Sequence, residues 1–402
     1  LIIAPGYLIL ASGFWLLAGD FNLLLLRSKI YATILLLCSV SSVAEKLFMK
    51  TKSVTLDDVA HYAGVSYQTV SRVLNQAPNV SDKTRAKIEQ AMAALHYVPN
   101  RVAQQLAGKN SCTLGLVTTD LSLHAPSQIA SAIKIKARQL GFSVVIAMID
   151  HFDEQACQRA VNELLAQRVE GILINAPLTQ QQSAEITHQC TNVPVIFLDV
   201  DPQSTAHSVV FDPFHGARQG AEHLLALGHQ KIVLIAGSKD TISSQLRYQG
   251  WLTTLALSGL KPQKVFYGDW SAHSGYLCAK SLLQSGTSFT AILVASDQMA
   301  LGVLRALQEQ GLSIPKDVSI VGYDDTDDSA YFHPPLTTVR QDFRQLGEKS
   351  LQQLVALLRT SHGIQLNSLL LSPELVLRQT TAPVNNVPIM SQTTPQELAE
   401  HK

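Results

Sequence analysis

The stretch TLDDVAHYAGVSYQTVSRVLN, residues 55–75, constrains the fold around it more than any other part of the chain. Thr55 suits an N-cap, because its hydroxyl can accept a hydrogen bond from a free amide of the first helical turn. Leu56, Val59, Ala60 and Ala63 then recur at helical spacing, and Gly64 offers a stop where a positive φ costs little. Ser66 can cap a second helix whose buried stripe is Val70, Val73 and Leu74, which leaves Tyr67, Gln68, Ser71 and Arg72 on the outward face. Small residues at Ala60, Ala63 and Gly64 let the two helices approach closely. The following NVSDKTRAKIEQAMAALHYVPN predicts a third helix, capped by Ser81, with Ile88, Met92 and Leu95 on one side. RVAQQLAGKN then predicts a short helix ending at Gly108.

Two short helices joined by a tight turn read as a helix-turn-helix, whose second helix enters the DNA major groove. Its outward face has suitable chemistry. Gln pairs with adenine through two hydrogen bonds, Arg with guanine O6 and N7, and Tyr offers a hydroxyl and a flat apolar face. Tyr67, Gln68, Ser71 and Arg72, with Thr55 and Asn75 at the two ends, are the candidate DNA-contacting residues of this motif. A helical hairpin with a solvated polar face fits the spacing too. The whole chain carries 31 basic and 31 acidic side chains and so announces no polyanionic partner. Between Lys50 and Lys109, however, eight basic residues face four acidic ones, an excess that suits phosphate contacts. Lys83, Arg85 and Lys87 within that excess read equally as a solvated helix face.

Beyond residue 110, apolar β-branched runs alternate with amphipathic stretches. TLGLVTT, SVVIAMI, GILINA and VPVIFLD form one series, and KIVLIAG, KVFYGD, AILVAS and VSIVGYD a second. Continuous apolar strands alternating with helices imply parallel sheets covered on both faces. Two such series, with chain crossings near Phe211–His215 and Thr337–Gln341, predict two α/β lobes with a cleft between them. Phe343–Leu358 reads as an amphipathic helix, and LSPELVLRQTT as a final strand returning to one lobe. In open parallel sheets, ligands bind at the carboxyl ends of strands. Asn175, Asp199, Ser296 and Asp324 stand at such ends, Arg247 lies in the helix after KIVLIAG, and Trp270 follows VFYGD. A sugar requires this mixture: carboxylates, amides and a guanidinium for vicinal hydroxyls, and an indole for the apolar face of the ring. Each polar residue alone could instead be a strand-end cap.

VTLDDVAHYAGVSYQTVSRVLNQ and YVPNRVAQQLAGK resemble the LacI/GalR family of repressors, and HAPSQI, LLAQRV, FLDV, HLLALGH, GDWSA, DQMALG, VGYDDT and PPLTT continue the family's order. The resemblance covers nearly everything after the first fifty residues. It implies an all-α helix-turn-helix DNA-binding head on an α/β core, a two-lobed, periplasmic-binding-protein-like (Rossmann-like) effector domain. It further implies that Asn175, Asp199, Arg247, Trp270 and Asp324 contact an inducer, joined by Phe211, Gln341 and Phe343. A wall of Leu123, Ala125, Pro126 and Ile129 completes the implied pocket. Ser296 stands where the family's lactose-responsive members carry asparagine; its shorter side chain would meet a sugar hydroxyl through water, which puts galactoside affinity or specificity in question. The hinge RVAQQLAG is implied to fold on operator and place Leu106 as a minor-groove wedge, against the alternative of a Gly-terminated linker. The function expected is a sequence-specific repressor of a lactose-type operon, released by an allolactose-like galactoside. A different sugar effector, or a sugar-binding protein without DNA function, are the alternatives.

The implied domains are an apolar extension over 1–48, a head over 49–99, a hinge over 100–109, a core over 110–382 and a tail over 383–402. Within the core, the N-lobe spans about 110–211 and 341–382 and the C-lobe about 212–340. Leu1–Gly19 and Ile30–Ala44 are apolar runs that imitate a membrane span and a signal peptide. The preferred reading starts translation at Met49, the first methionine, giving a cytoplasmic protein; a membrane-tethered regulator and an exported binding protein are the others. Cys38, Cys112, Cys157, Cys190 and Cys278 are scattered, with no C-x-x-C pair, and read as reduced thiols without a metal. No G-x-S-x-G, H-E-x-x-H or strand-linked G-x-G-x-x-G occurs, so an enzyme is not expected, although Asp199 and Asp324 could be imagined as a glycosidase pair. No cofactor is expected beyond the sugar effector. TTPQELAEHK begins what the resemblance makes a leucine-heptad segment and is too short for a coiled-coil seam, so a homodimer is expected rather than a tetramer.

Overall fold

The computed structural model of the chain describes residues 54–74, 79–99, 111–149, 155–359 and 368–384. The expectations for residues 1–48, the start at Met49, Asn75, the hinge with Leu106 and the tail beyond 384 lie outside the described residues. The chain divides into two compact units, Leu1–Arg101 and Val102–Lys402.

In the first unit, helices α1 (Leu56–Ala63), α2 (Tyr67–Leu74) and α3 (Asp82–Ala94) form the head. Thr55 and Asp58 form a reciprocal capping box, with Thr55 N donating to Asp58 Oδ2 at 2.8 Å and Asp58 N to Thr55 Oγ1 at 3.3 Å. Gly64 ends α1 at φ 58°, a left-handed conformation that lets the chain turn sharply into α2. Ser66 and Ser81 each accept a hydrogen bond from the third residue onward, as N-caps of α2 and α3. Val59, Ala60, Ala63, Val70, Val73, Ile88 and Ala91 close the core, joined by Tyr97. Leu74, Met92 and Leu95 pack only partly buried at its margin.

Among the described residues, the second unit contains two large sheets whose strands alternate with helices, and one two-stranded pair. Strands β1 (Thr113–Thr118), β2 (Ser143–Met148), β3 (Gly171–Asn175) and β4 (Val195–Phe197) form a parallel sheet in the order β2-β1-β3-β4. Helices α4 (His124–Gln139), α5 (Ala156–Ala166) and α6 (Gln180–Gln189) connect them. After the short β5 (Val209–Phe211) the chain crosses into the other lobe. There β6 (Ile232–Ala236), β7 (Val265–Tyr267), β8 (Ala291–Val294), β9 (Ser319–Asp324) and β10 (Thr337–Arg340) alternate with α7 (Pro213–Ala226), α8 (Ile242–Leu257), α9 (Ala272–Gln284) and α10 (Asp297–Glu309). Helix α11 (Phe343–Arg359) returns to the first lobe, packing on α4 and on Leu173 and Ile196 of its sheet. Each sheet is buried on both faces by separate apolar clusters, which explains the unbroken apolar strands.

The final strand differs from expectation. The run LLLSPELV, 369–376, holds two strands, β11 (Leu369–Leu371), parallel to β5, and β12 (Glu374–Val376), antiparallel to β10 at the edge of the second sheet. The break falls at Ser372–Pro373, where proline has no amide to continue a ladder. Beyond it the chain stays with the second lobe: Ile320 N donates to Thr380 O at 2.8 Å and Ala382 N to Ser319 Oγ at 3.1 Å. The expected N-lobe segment 341–382 therefore ends near Leu371, and residues 374–384 belong to the C-lobe. The lobes are joined by three crossings, of which the sequence shows two.

Candidate functional site

A cavity of about 390 Å³ lies in the second unit, at the carboxyl ends of the strands of both lobes. From the first lobe, Asn175 ends β3, Asp199 follows β4 and Phe211 ends β5, with Leu123, Ala125, Pro126 and Ile129 forming a wall at the start of α4. From the second, Arg247 projects from α8, Trp270 follows β7, Ser296 follows β8 and Asp324 ends β9. Gln341 and Phe343 enter from the second crossing. The sequence-predicted cleft residues thus come together around one space of a size typical for small-molecule sites.

Arg247 organises its polar side. The guanidinium is buried and donates to Ala295 O, to Gln341 Oε1 at 2.9 Å and to Asp324 Oδ1 at 3.3 Å. It also stacks 3.8 Å from the Tyr323 ring and 5.3 Å from the Trp270 ring. Its Nε is buried without a hydrogen-bond partner among the described residues. Burial pushes Asp324 up to about 7, although the neighbouring Arg247 pulls it down; burial likewise raises Asp199 to about 6 against the same cation. Two carboxylates near neutrality beside one guanidinium can accept from sugar hydroxyls while the guanidinium donates to them.

The indole of Trp270 lies on the backbone of Gly237, where any side chain would collide with it, and Trp270 itself adopts φ 78°. The turn after β7 thus presents an aromatic wall to the cavity, which is also lined by Phe343, itself meeting Phe211 edge-on with centroids 6.0 Å apart. Ser296 lines the cavity, but its hydroxyl caps α10, accepting from Met299 N at 3.2 Å and donating to Trp270 O at 3.4 Å. The strand-end capping role open to each polar residue is thus taken up by Ser296.

Other residues were not visible from spacing. Gln298 lines the cavity and accepts from His124 N at 3.0 Å, tying α10 of one lobe to α4 of the other. Behind the site, fully buried Asp297 accepts from Thr326 N at 3.0 Å, Ser329 Oγ at 2.5 Å and Thr338 Oγ1 at 2.6 Å. Asp325 holds Arg340 at 2.7 Å and Arg378 at 2.6 Å, next to the second and third crossings. A carboxylate directly after Ser296 or Asp324 gives no pattern that separates a ligand-facing role from a bracing one. Among the described residues no His, Cys, Asp and Glu cluster could hold a metal ion.

In the head, Tyr67, Gln68 and Arg72 are exposed and Ser71 is half-buried on one face of α2, with Val70 and Val73 buried behind them. Thr55 is engaged in its capping box. Arg85, one of the three candidate phosphate-facing cations of α3, reaches instead to Val73 O at the end of α2, at 3.5 Å. Lys83 and Lys87 remain exposed.

Residues 55–100 match the profile of bacterial regulatory proteins of the lacI family, and residues 221–381 that of a periplasmic binding protein-like domain. The chain is 52% identical over 334 residues to the lactose operon repressor of Escherichia coli K12, an alignment covering 83% of this chain and 92% of that protein. It is 41% identical to the lactose operon repressor of Klebsiella pneumoniae, over 84% of this chain and 94% of that one. Among solved structures, a lac repressor dimer bound to operator and the anti-inducer ONPF superposes with a TM-score of 0.77 at 52% identity, covering 82% of this chain and all of that one.

Proposed function

This chain belongs to the lacI family of bacterial regulatory proteins, and from that premise we propose that it represses a lactose-type operon by binding operator DNA and is released by a galactoside inducer. The observation that carries the reading is the joint presence of an exposed Tyr67–Gln68–Arg72 face and a cavity built on Arg247, Asp324 and Trp270. Gln68 and Arg72 reach base edges in the major groove, and Lys83 and Lys87 approach phosphates. In the cavity, Arg247 and Asp324 bind adjacent hydroxyls of the sugar while Trp270 packs on its apolar face. Asn175 and Asp199 add contacts from the opposite lobe, so a bound sugar favours one lobe arrangement over another. That preference, expressed as differential affinity for two states, is what would weaken operator binding.

The protein is a regulator and not an enzyme, in keeping with its relatives, and the reading needs no cofactor. Two copies on a pseudo-palindromic operator, in the cytoplasm, complete it. The engagement of the Ser296 hydroxyl in capping favours, as a second reading, the same regulator tuned to another hexose. Titrating a lac-type operator fragment with the purified chain, with and without methyl β-galactoside, tests the proposal. Operator binding that the sugar weakens supports it; no binding at low ionic strength overturns it, and binding relieved only by a different hexose selects the second reading.

A further inference from the structure

The turn that follows β9 carries an acid of the sugar site in a conformation that needs outside support. Asp324 adopts φ 109° and Asp325 φ 56°, two successive residues at positive φ that are not glycine. Arg247 does not fix the Asp324 side chain by itself, because it reaches Oδ1 at 3.3 Å, long for a charged pair. The place of this carboxylate in the cavity therefore depends on what holds the backbone around it. Gln341 N donates to Asp324 O at 3.1 Å, and Arg340 and Arg378 hold the carboxylate of Asp325. Beyond Asp325 the turn is held by Asp297, the first residue of α10.

Asp297 is fully buried and does not line the cavity. Its two oxygens serve different neighbours. Oδ2 accepts from Thr326 N at 3.0 Å and Ser329 Oγ at 2.5 Å, and the Thr326 and Ser329 hydroxyls lie 2.6 Å apart. That oxygen closes the turn onto the short 3-10 helix Asp327–Tyr331. Oδ1 accepts from Thr338 Oγ1 of β10 at 2.6 Å and lies against Gly322 of β9, where any side chain would collide with it. One carboxylate thus pins the turn to the sheet whose strand ends in Asp324. An amide in its place would turn an NH2 group toward one set of these donors. The two acids also meet electrostatically. Burial raises the Asp324 carboxyl, Arg247 from α8 lowers it, and the charge of Asp297 from α10 raises it again. Asp297 itself faces the Asp325 carboxylate besides its three hydroxyl and amide donors.

We infer that Asp297, without touching the sugar, is a positioning residue for it: through Oδ2 it holds the turn 324–329 so that the Asp324 carboxylate meets the sugar hydroxyls in one fixed place. An acceptor held in place before the ligand arrives loses less freedom on binding, and that difference appears as affinity. The inference rests on the galactoside reading above and adds to it a residue outside the cavity.

The test measures methyl β-galactoside binding by calorimetry on the full chain and on Asp297→Asn, Ser329→Ala and Thr338→Val, none of which lines the cavity. The stoichiometry reports the folded fraction, so a lost fold is read apart from a weakened site. At pH 8, Asp297→Asn should bind about tenfold more weakly than wild type. Ser329→Ala frees the turn and keeps the charge, and should bind about threefold more weakly; Thr338→Val frees only the strand side, and should stay within about twofold of wild type. The pH profile separates positioning from general support of the fold. With the Asp297 charge gone, the acid-side loss of affinity in Asp297→Asn should move to lower pH, whereas in Ser329→Ala it should stay where wild type has it. Wild-type affinity in Asp297→Asn, an unmoved profile in that variant, or equal effects of Ser329→Ala and Thr338→Val overturns the positioning role and leaves the galactoside reading standing. If Asp297→Asn does not fold, the serine and threonine variants decide the matter alone. Should methyl galactoside fail to bind the wild type, the functional reading falls and the positioning role with it.

Discussion

Asp324 carries the heaviest demand placed on any one side chain. It is buried beside Arg247, and its carboxyl is pushed up to about 7. Sugar hydroxyls donate to the ionised form, so bound sugar lowers this pKa and affinity rises with pH until the group is fully charged. Inducer affinity should therefore fall as pH drops from 8 to 5.5, by at most tenfold per unit, as read by calorimetry at constant ionic strength. Asp324→Asn should reduce affinity about 10- to 100-fold, the loss of a charged acceptor, and flatten that pH dependence. A steep profile persisting in the variant would place the titrating group elsewhere, Asp199 being the next choice. Asn175, Asp199 and Asp324 were legible because each follows a recognisable apolar strand, and strand ends in parallel sheets face the cleft. Gln298 and Asp297 were not, because sequence does not tell which side of a helix N-terminus faces a ligand and which faces the core. Ser296 was legible as a position but not as a role: its hydroxyl could serve a sugar or its own helix, and in the fold it serves the helix.

At the scale of elements, the caps of the head were legible because they are local. Thr55, Ser66 and Ser81 bond within their own next turn, so no distant neighbour could override them. Ser81→Ala should lower the stability of the head by about 1 kcal/mol, measured by urea unfolding followed at the helical signal. On α2, Arg72→Ala should relax base preference at one position of each half-site, while Lys83→Ala on α3 should weaken every duplex alike and reduce the salt slope by about one. Equal effects of the two on operator and random DNA would contradict the groove assignment. The split of the last strand was not legible, since LSPELVLRQTT reads as one strand and only Pro373 hints at a break. What fixes the outcome is distant: Asp325, its side chain nearly inaccessible, binds Arg340 on β10 and Arg378 beyond β12. Asp325→Asn should destabilise the core by about 2–3 kcal/mol, below the cost of breaking a fully buried pair because Arg340 is half exposed. Thermal unfolding of the variant with and without sugar checks this, and a midpoint unchanged from wild type would show the clamp to be idle.

At the scale of the whole molecule, the two-series alternation of strands and helices gave the lobes, and the strand-end rule gave the cleft between them. The order of the strands and the third crossing depend on long-range pairing and stayed hidden. That third crossing has a consequence for how such a core is made and inherited. The first lobe is assembled from residues near 111–211 and 343–371, and the second from 213–340 and 374–384. Neither is an unbroken stretch of gene, so neither can be expressed, duplicated or exchanged by a single cut and paste. The ribosome releases the second half of one lobe only after nearly all of the other has been synthesised. The two lobes are consequently one unit of biosynthesis and of descent, whatever freedom they have to move against each other once folded.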